Sequence, residues 1–237
     1  ITVRGKQYLE EADVIIYAGS LVNPQLLEYA KKDCEIHNSA YMTLEQVIDV
    51  IKSAEHEGKM TVRLHTGDPS LYGAIREQMD RLDELGIKYD ICPGVSSFCG
   101  AAAALKAEYT LPDVSQTVII TRMAGRTPVP EKESIAALAA HNATMVIFLS
   151  TGLLKELSAE LIRGGYKPDT PAAIVYKASW ADQKVCRCTV EDLAHTASDN
   201  GITKTALICV GYFLGNDYSL SKLYDKSFET EFRKAEI

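Results

Sequence analysis

Met60-Thr-Val-Arg-Leu-His65, then Thr66-Gly-Asp-Pro-Ser-Leu-Tyr-Gly73, then Ile75, Met79, Leu82 and Leu85 at helical spacing: this is the stretch on which the fold turns. The first six residues form a β-rich run. Gly67 and Pro69 break it, and the four apolar residues share one face of a helix that Gly86 ends. Strand, loop and helix in that order are half of a βαβ unit, and the same alternation continues in both directions. Upstream, Asp13-Val-Ile-Ile-Tyr-Ala18 reads as a buried strand and Asn23-Pro24 as a turn into a short helix. Glu35-Ile-His37 is a weaker strand. Leu44, Val47, Ile48 and Ile51 make a helix with Thr43 as N-cap and Gln46 in the capping-box position. Downstream, Tyr89-Asp-Ile-Cys92 reads as a strand running into Pro93-Gly94, and Ser96 to Leu105 as a close-packed helix of small residues.

The pattern breaks at Leu111-Pro112-Asp113, which sets the boundary between an N-terminal α/β domain, 1–113, and a C-terminal one, 114–215. The second half has strands at Thr117–Thr121, Met145–Leu149, Ala172–Tyr176, Lys184–Thr189 and Ala206–Val210. Helices fall near 131–140, 153–163 and 190–198. Strands separated by helices predict α/β layers, with the first sheet mostly parallel. The adjacent runs at 172–176 and 184–189 predict a hairpin, so the second sheet should be mixed. The tail, 216–237, is polar but carries Tyr218, Leu220, Leu223, Tyr224, Phe228 and Phe232, too many large apolar groups for a disordered segment. It is expected to dock on its own domain or on a second subunit.

The 237 residues are 46% hydrophobic and 24% charged, which excludes disordered, collagenous and coiled-coil chains. No apolar run reaches the roughly 18 residues of a membrane span. The net charge of −7 argues against a nucleic-acid partner. Of the six cysteines, Cys92, Cys99, Cys186 and Cys209 lie in apolar or alternating runs. Buried thiols are therefore expected rather than a disulfide framework, along with a cytoplasmic location. There is no C-x-x-C, and the scattered histidines give no metal site.

In an open α/β sheet, ligands bind beyond the carboxyl ends of the strands. Two loops have that placement, Thr66-Gly-Asp-Pro69 and Pro93-Gly-Val-Ser-Ser97. Glycine in each permits close backbone approach, and Asp68 can accept hydrogen bonds. A plain turn and an N-cap serine explain the same residues equally well. Neither loop is G-x-G-x-x-G or a P-loop. Arg122, Arg126 and Lys177 sit at strand ends or in loops, either as carboxylate receptors or as solvated charges. His65 reads as a core histidine rather than an acid–base catalyst.

Three segments, His65-Thr-Gly-Asp-Pro-Ser-Leu-Tyr-Gly73, Pro93-Gly-Val-Ser-Ser97 and Phe148-Leu-Ser150, resemble the tetrapyrrole (corrin/porphyrin) methylase family. Three more, Thr121-Arg-Met-Ala-Gly-Arg-Thr-Pro-Val-Pro130, Val175-Tyr-Lys-Ala-Ser-Trp180 and Ser221-Lys-Leu-Tyr-Asp-Lys-Ser-Phe228, resemble the group within it that methylates carbon 11 of precorrin-4 or cobalt-precorrin-4 in cobalamin biosynthesis. The resemblance spans essentially the whole chain. It implies a two-domain α/β enzyme, a homodimer, with S-adenosylmethionine in a cleft between the domains and S-adenosylhomocysteine as product. It implies cofactor contacts from Thr66, Gly67, Asp68, Leu71, Ser96, Ser97, Leu149, Ala178 and Ala206. Substrate contacts would come from Arg122, Arg126, Lys177 and Tyr72, with the arginines gripping carboxylates; no catalytic base and no metal ligand is implied. Other precorrin positions, uroporphyrinogen, or noncatalytic tetrapyrrole binding remain alternatives.

Family members usually have a strand and a Gly-Pro-rich loop ahead of the segment that corresponds to Ile1-Thr-Val-Arg-Gly5. With Ile1 as first residue and no signal-peptide pattern, the chain reads as lacking them. A gap or repair in the first sheet, and weak cofactor binding by this chain alone, are the expectations that follow.

Overall fold

The structure, a computed structural model, describes residues 1–235. The chain divides into two compact units, Ile1–Cys99 and Gly100–Ile237.

In the first unit, helix α1 (Val3–Glu11) precedes strand β1 (Val14–Tyr17). Then come β2 (Glu35–Asn38), α2 (Leu44–His56), β3 (Thr61–Leu64) and α3 (Arg76–Glu84). The sheet is wholly parallel in the order β2-β1-β3, with Ile15 opposite Ile36 on one side and Val62 on the other. A central parallel strand is covered on both faces, which is why β1 is apolar at successive positions. Val14 and Ile16 pack on Val47, Ile48 and Ile51 of α2 and on Leu82 of α3. Ile15 points the other way, onto Leu9 and Ala12. The capping box is formed: Gln46 N–H donates to Thr43 Oγ1 (3.3 Å) and Thr43 N–H to Gln46 Oε1 (2.9 Å). Helix α1 escaped the sequence reading because Leu9 is its one buried residue.

Tyr89–Cys92 was expected as a strand and is not one. A cavity of about 420 Å³, lined by Thr61, Val62 and Arg63 of β3 and also by Tyr89–Cys92, lies at this place. No ladder bonds join the two segments, and β3 pairs with β1 alone.

Helix α4 (Ser97–Leu105) leads into the second unit. There β4 (Val118–Arg122), β5 (Thr144–Phe148), β6 (Pro171–Tyr176), β7 (Lys184–Thr189) and β8 (Ala206–Val210) form a mixed sheet in the order β4-β5-β8-β6-β7. β4 and β5 are parallel, β8 is antiparallel to β5 and β6, and β6–β7 is the expected hairpin. Helices α5 (Ile135–Ala139), α6 (Leu154–Gly164) and α7 (Leu193–Asp199) contribute Ile135, Leu157, Leu161 and Leu193 to a core with Met145, Ile147, Ile174 and Ile208. The helix expected near 131–140 is shorter, with a 3₁₀ turn at Glu131–Glu133 before it. The division at Cys99 comes earlier than the Leu111–Asp113 break. Residues just before that break are fastened to the second sheet: Thr144 Oγ1 donates to Tyr109 O (2.9 Å), and the Tyr109 ring meets Phe213 edge-on at 5.1 Å.

The tail does not bury its apolar groups on its own domain, one of the two places expected for it, since Leu220, Tyr224 and Phe232 are more than four-fifths exposed. It curls instead around Arg233, which donates to the carbonyls of Leu223, Asp225 and Phe228. All six cysteines are free, but only Cys209 is buried, and Cys99 is exposed on α4. No helix among the described residues is long and apolar enough to cross a membrane.

Candidate functional site

In the first unit the two suspected loops lock onto each other. The Asp68 carboxylate receives the Ser70 hydroxyl (2.5 Å) and Ser70 N–H (2.9 Å) on Oδ1, and Gly94 N–H (2.9 Å) on Oδ2. Gly67 takes the left-handed φ of +64°, and a Cβ there would lie 3.1 Å from Ser96 Cα and Ser97 N. A Cβ on Gly94 would lie 2.0 Å from Gly67 O. Thr66, Gly67, Asp68, Ser96 and Ser97 are thereby brought together at the carboxyl end of β3 and the start of α4. Leu71 is half-buried in the same loop, its N–H donating to Asp68 O (3.2 Å). Tyr72 is exposed and left-handed (φ 57°), as is the backbone of Ala74 (φ 49°).

Asp68 thus organises the loop. The Ser70 hydroxyl first, then the Gly94 and Ser70 amides, hold its carboxyl below the usual aspartate range. A depressed carboxyl stabilises the fold fully above the unfolded value of about 3.9 and loses that contribution as pH falls through the lower folded value. The Tm deficit of Asp68→Asn against the parent should therefore be present at pH 7 and shrink below about pH 3.9. A deficit that stays constant with pH would deny the carboxylate this role. His65, just upstream, is pushed down to about 4 by burial and by Arg63, so it is neutral at pH 7. Its Nε2 is buried without a partner.

In the second unit the residues singled out from the sequence, Arg126 apart, lie at one rim of the sheet, where β4, β5 and β6 end and β8 begins. Arg122 closes β4, Leu149 follows β5, Lys177 and Ala178 follow β6, and Ala206 opens β8. Leu149 (φ 53°), Lys177 (φ 46°), Ser179 (φ 71°) and Thr205 (φ 57°) are all left-handed without being glycine. Such residues cost of order 1–3 kcal/mol each and gather at ligand sites.

Arg122 does not stand free to grip a carboxylate. Its guanidinium donates to Thr127 O (3.1 Å), Pro128 O (2.7 Å) and Met123 O (3.4 Å), folding its own loop around itself. Arg126, at the exposed turn of that loop, pairs with no acidic group among the described residues. Lys177 is engaged as well: Nζ meets Asp182 Oδ2 at 2.6 Å and lies over the rings of Trp180 (4.9 Å) and Tyr176 (5.1 Å). The Asp182 hydrogen bond, then that to Tyr176, raises the ammonium above the ordinary lysine range. The sequence reading missed the hydroxyls that knit this rim. Met123 N–H donates to Ser150 Oγ (2.9 Å), and Thr151 Oγ1 donates to Ala206 O (3.2 Å). The signal available was Ser-Thr directly after an apolar strand.

No group of three or more His, Cys, Asp or Glu side chains among the described residues is placed to share a metal ion. The arrangement is one of close backbone approach, small side chains and oriented amides, suited to holding a ligand that brings its own reactivity.

Residues 1–194 match the family model described as Tetrapyrrole (Corrin/Porphyrin) Methylases. A cobalt-precorrin-4 C(11)-methyltransferase of Methanocaldococcus jannaschii is 58% identical, over 99% of this chain and 91% of the relative. One of Priestia megaterium is 48% identical, over 99% and 92%. The X-ray structure of a cobalt precorrin-4 methyltransferase, a cobalamin biosynthetic enzyme, superposes with a TM-score of 0.89 at 48% identity, covering 91% of this chain and 90% of that one.

Proposed function

Because the chain belongs to the tetrapyrrole (corrin/porphyrin) methylases, we propose that it is the S-adenosylmethionine-dependent methyltransferase acting on carbon 11 of cobalt-precorrin-4 or precorrin-4 in cobalamin biosynthesis. The single observation that carries this reading is the 58% identity, along the whole chain, to a relative of that activity. Both of the relatives described above are named for the cobalt-bound substrate, which favours it over the metal-free one.

The residues fit the cofactor. Gly67 and Gly94 let the two loops meet backbone to backbone, a contact that a Cβ on either would prise apart, and so keep the Thr66–Asp68 and Ser96–Ser97 backbone together for a ligand. In the first unit Thr66, Gly67, Asp68, Leu71, Ser96 and Ser97 are the residues that would hold S-adenosylmethionine; in the second, Leu149, Ala178 and Ala206 are the cofactor contacts we assign. Bound there, it supplies a methyl group already activated on a sulfonium. The protein's part is therefore orientation and exclusion of water rather than creation of a nucleophile. Asp68 holds its loop and abstracts no proton. Arg122 shapes the Met123–Pro130 loop, and Arg126 offers the unpaired charge that a polycarboxylate needs. Tyr72 in the first unit and Lys177 in the second are the further substrate contacts we assign, Lys177 through an ammonium that stays charged while paired with Asp182 and lying over two rings.

The exposed Leu220, Tyr224 and Phe232 support a homodimer in which a second copy covers the tail. Six free thiols support a cytoplasmic setting. The test of the reading is methyl transfer from labelled S-adenosylmethionine to cobalt-precorrin-4 and to precorrin-4 in parallel, with the methylated carbon located by NMR. Label on another ring carbon would replace the substrate assignment, and absence of label on either would remove the activity. For Arg126→Ala, loss of one charge-assisted contact should raise KM for the tetrapyrrole about tenfold or more with kcat little changed. An unchanged KM would remove Arg126 from the substrate side.

A further inference from the structure

The rim of the second sheet is closed by hydrogen bonds that run across strand ends in spatial order. Met123 N–H, just past β4, donates to Ser150 Oγ (2.9 Å), and Ser150 Oγ donates in turn to Phe148 O at the end of β5 (2.7 Å). The neighbouring hydroxyl, Thr151 Oγ1, donates to Ala206 O at the start of β8 (3.2 Å). Lys177 N–H, just past β6, donates to Thr205 O (3.0 Å). Ser150 has no exposed surface at all, whereas Leu149 beside it is 60% exposed and left-handed. A buried hydroxyl that both accepts and donates fixes two backbone segments with one group. The segments are the left-handed turn at Leu149 and the root of the loop that Arg122 folds.

We propose that Ser150 is a positioning residue for methyl transfer: its hydroxyl couples the Leu149 turn, on the cofactor side, to the Met123–Pro130 loop, on the substrate side. The inference rests on the function proposed above. Removing the hydroxyl strands the Met123 N–H in a buried place, and a stranded donor recovers a partner only if the loop root shifts. Arg122 then carries the shift to Thr127 and Pro128, the carbonyls it holds, and so to Arg126, the residue just before them. Leu149, released from the other side, relaxes out of its left-handed conformation. Neither Ser150 nor Met123 need touch a ligand for both binding events to weaken together.

The experiment measures Kd for S-adenosylhomocysteine by calorimetry, and KM and kcat for the tetrapyrrole, in the parent, Ser150→Ala, Ser150→Thr and Ser134→Ala. Ser134 caps α5 through the Ala137 N–H (3.3 Å) and serves as the control for a lost hydroxyl outside the hydrogen bonds that link the strand ends. Ser150→Ala should raise Kd and KM each by about tenfold, with kcat within about threefold. Ser150→Thr, which keeps the hydroxyl, should recover most of both, and Ser134→Ala should move neither. A Ser150→Ala that lowers Tm but leaves Kd and KM at parental values would show a merely structural hydroxyl and overturn the proposal. So would a rise in one constant alone.

Should Ser150→Ala fail to fold, the parent decides by amide hydrogen exchange with S-adenosylhomocysteine alone. Slower exchange at 149–152 and at 123–127 together supports the coupling; protection confined to 149–152 refutes it. A parent that binds no S-adenosylhomocysteine and methylates no tetrapyrrole refutes the function itself, a different result from either.

Discussion

Gly94→Ala should weaken binding of S-adenosylhomocysteine by about a hundredfold or more, the effect of prising two preformed loops apart rather than of losing one contact. The added Cβ would sit 2.0 Å from Gly67 O and 2.8 Å from Gly67 C, distances that no rotamer relieves because both atoms are backbone. Either the Pro93–Ser97 segment or the Gly67 peptide must move. Movement of either breaks the 2.9 Å bond from Gly94 N–H to Asp68, which ties the two loops together. Gly58→Ala makes a useful companion, because a Cβ there meets nothing within 4 Å. Its cost is confined to a left-handed φ of +68° at the end of α2, so it should lower Tm and spare affinity. Calorimetric titration of both variants separates the cases. A Gly94→Ala that binds within about threefold of the parent would mean that the interlocked loops are not where the cofactor is held.

The largest effect on stability is expected from Ile147→Ala. Ile147 has no exposed surface, lies in a strand paired on both sides, and packs in the core that α5, α6 and α7 cover. Truncating a large aliphatic side chain in such a place costs about 2–5 kcal/mol, the transfer energy of the lost carbons plus the cavity they leave. For a unit of this size that lowers Tm by roughly 10 °C. Leu149, two residues along the same strand direction, is 60% exposed, and Leu149→Ala should cost far less stability. Thermal denaturation followed by circular dichroism compares the two. Equal losses would contradict the division of labour between a packed strand and a presented rim.

The sheets were legible because burial leaves a mark on composition. β1 had to be apolar at successive positions, since Val14 and Ile16 meet α2 while Ile15 meets Leu9 and Ala12 on the opposite face. Thr43 and Gln46 announced α2 through a capping box that the backbone then used. Helix α1 left no such mark, because one buried leucine sets no period. Tyr89–Cys92 carried the composition of a strand, yet a strand needs a neighbour, and local composition does not say whether one is in reach. The positions of the candidate site were legible for the same reason: strand ends are visible wherever strands are. Side-chain engagement was not. Arg122 and Lys177 look alike as cations at strand ends, and only the fold shows that one is wrapped in carbonyls and the other paired with Asp182. The Ser150 hydroxyl works through Met123, 27 residues away in the chain, a separation at which sequence pattern carries no information.

The left-handed backbone at Leu149, Lys177, Ser179 and Thr205 has an evolutionary meaning as well as a geometric one. At each of these positions glycine would adopt the same conformation without the steric cost that a side chain incurs. Glycine at any of the four would relieve that cost and, in the same step, remove the side chain that the rim presents. Selection for heat resistance alone would drift toward glycine at the rim, and selection for turnover would hold the bulkier residues in place.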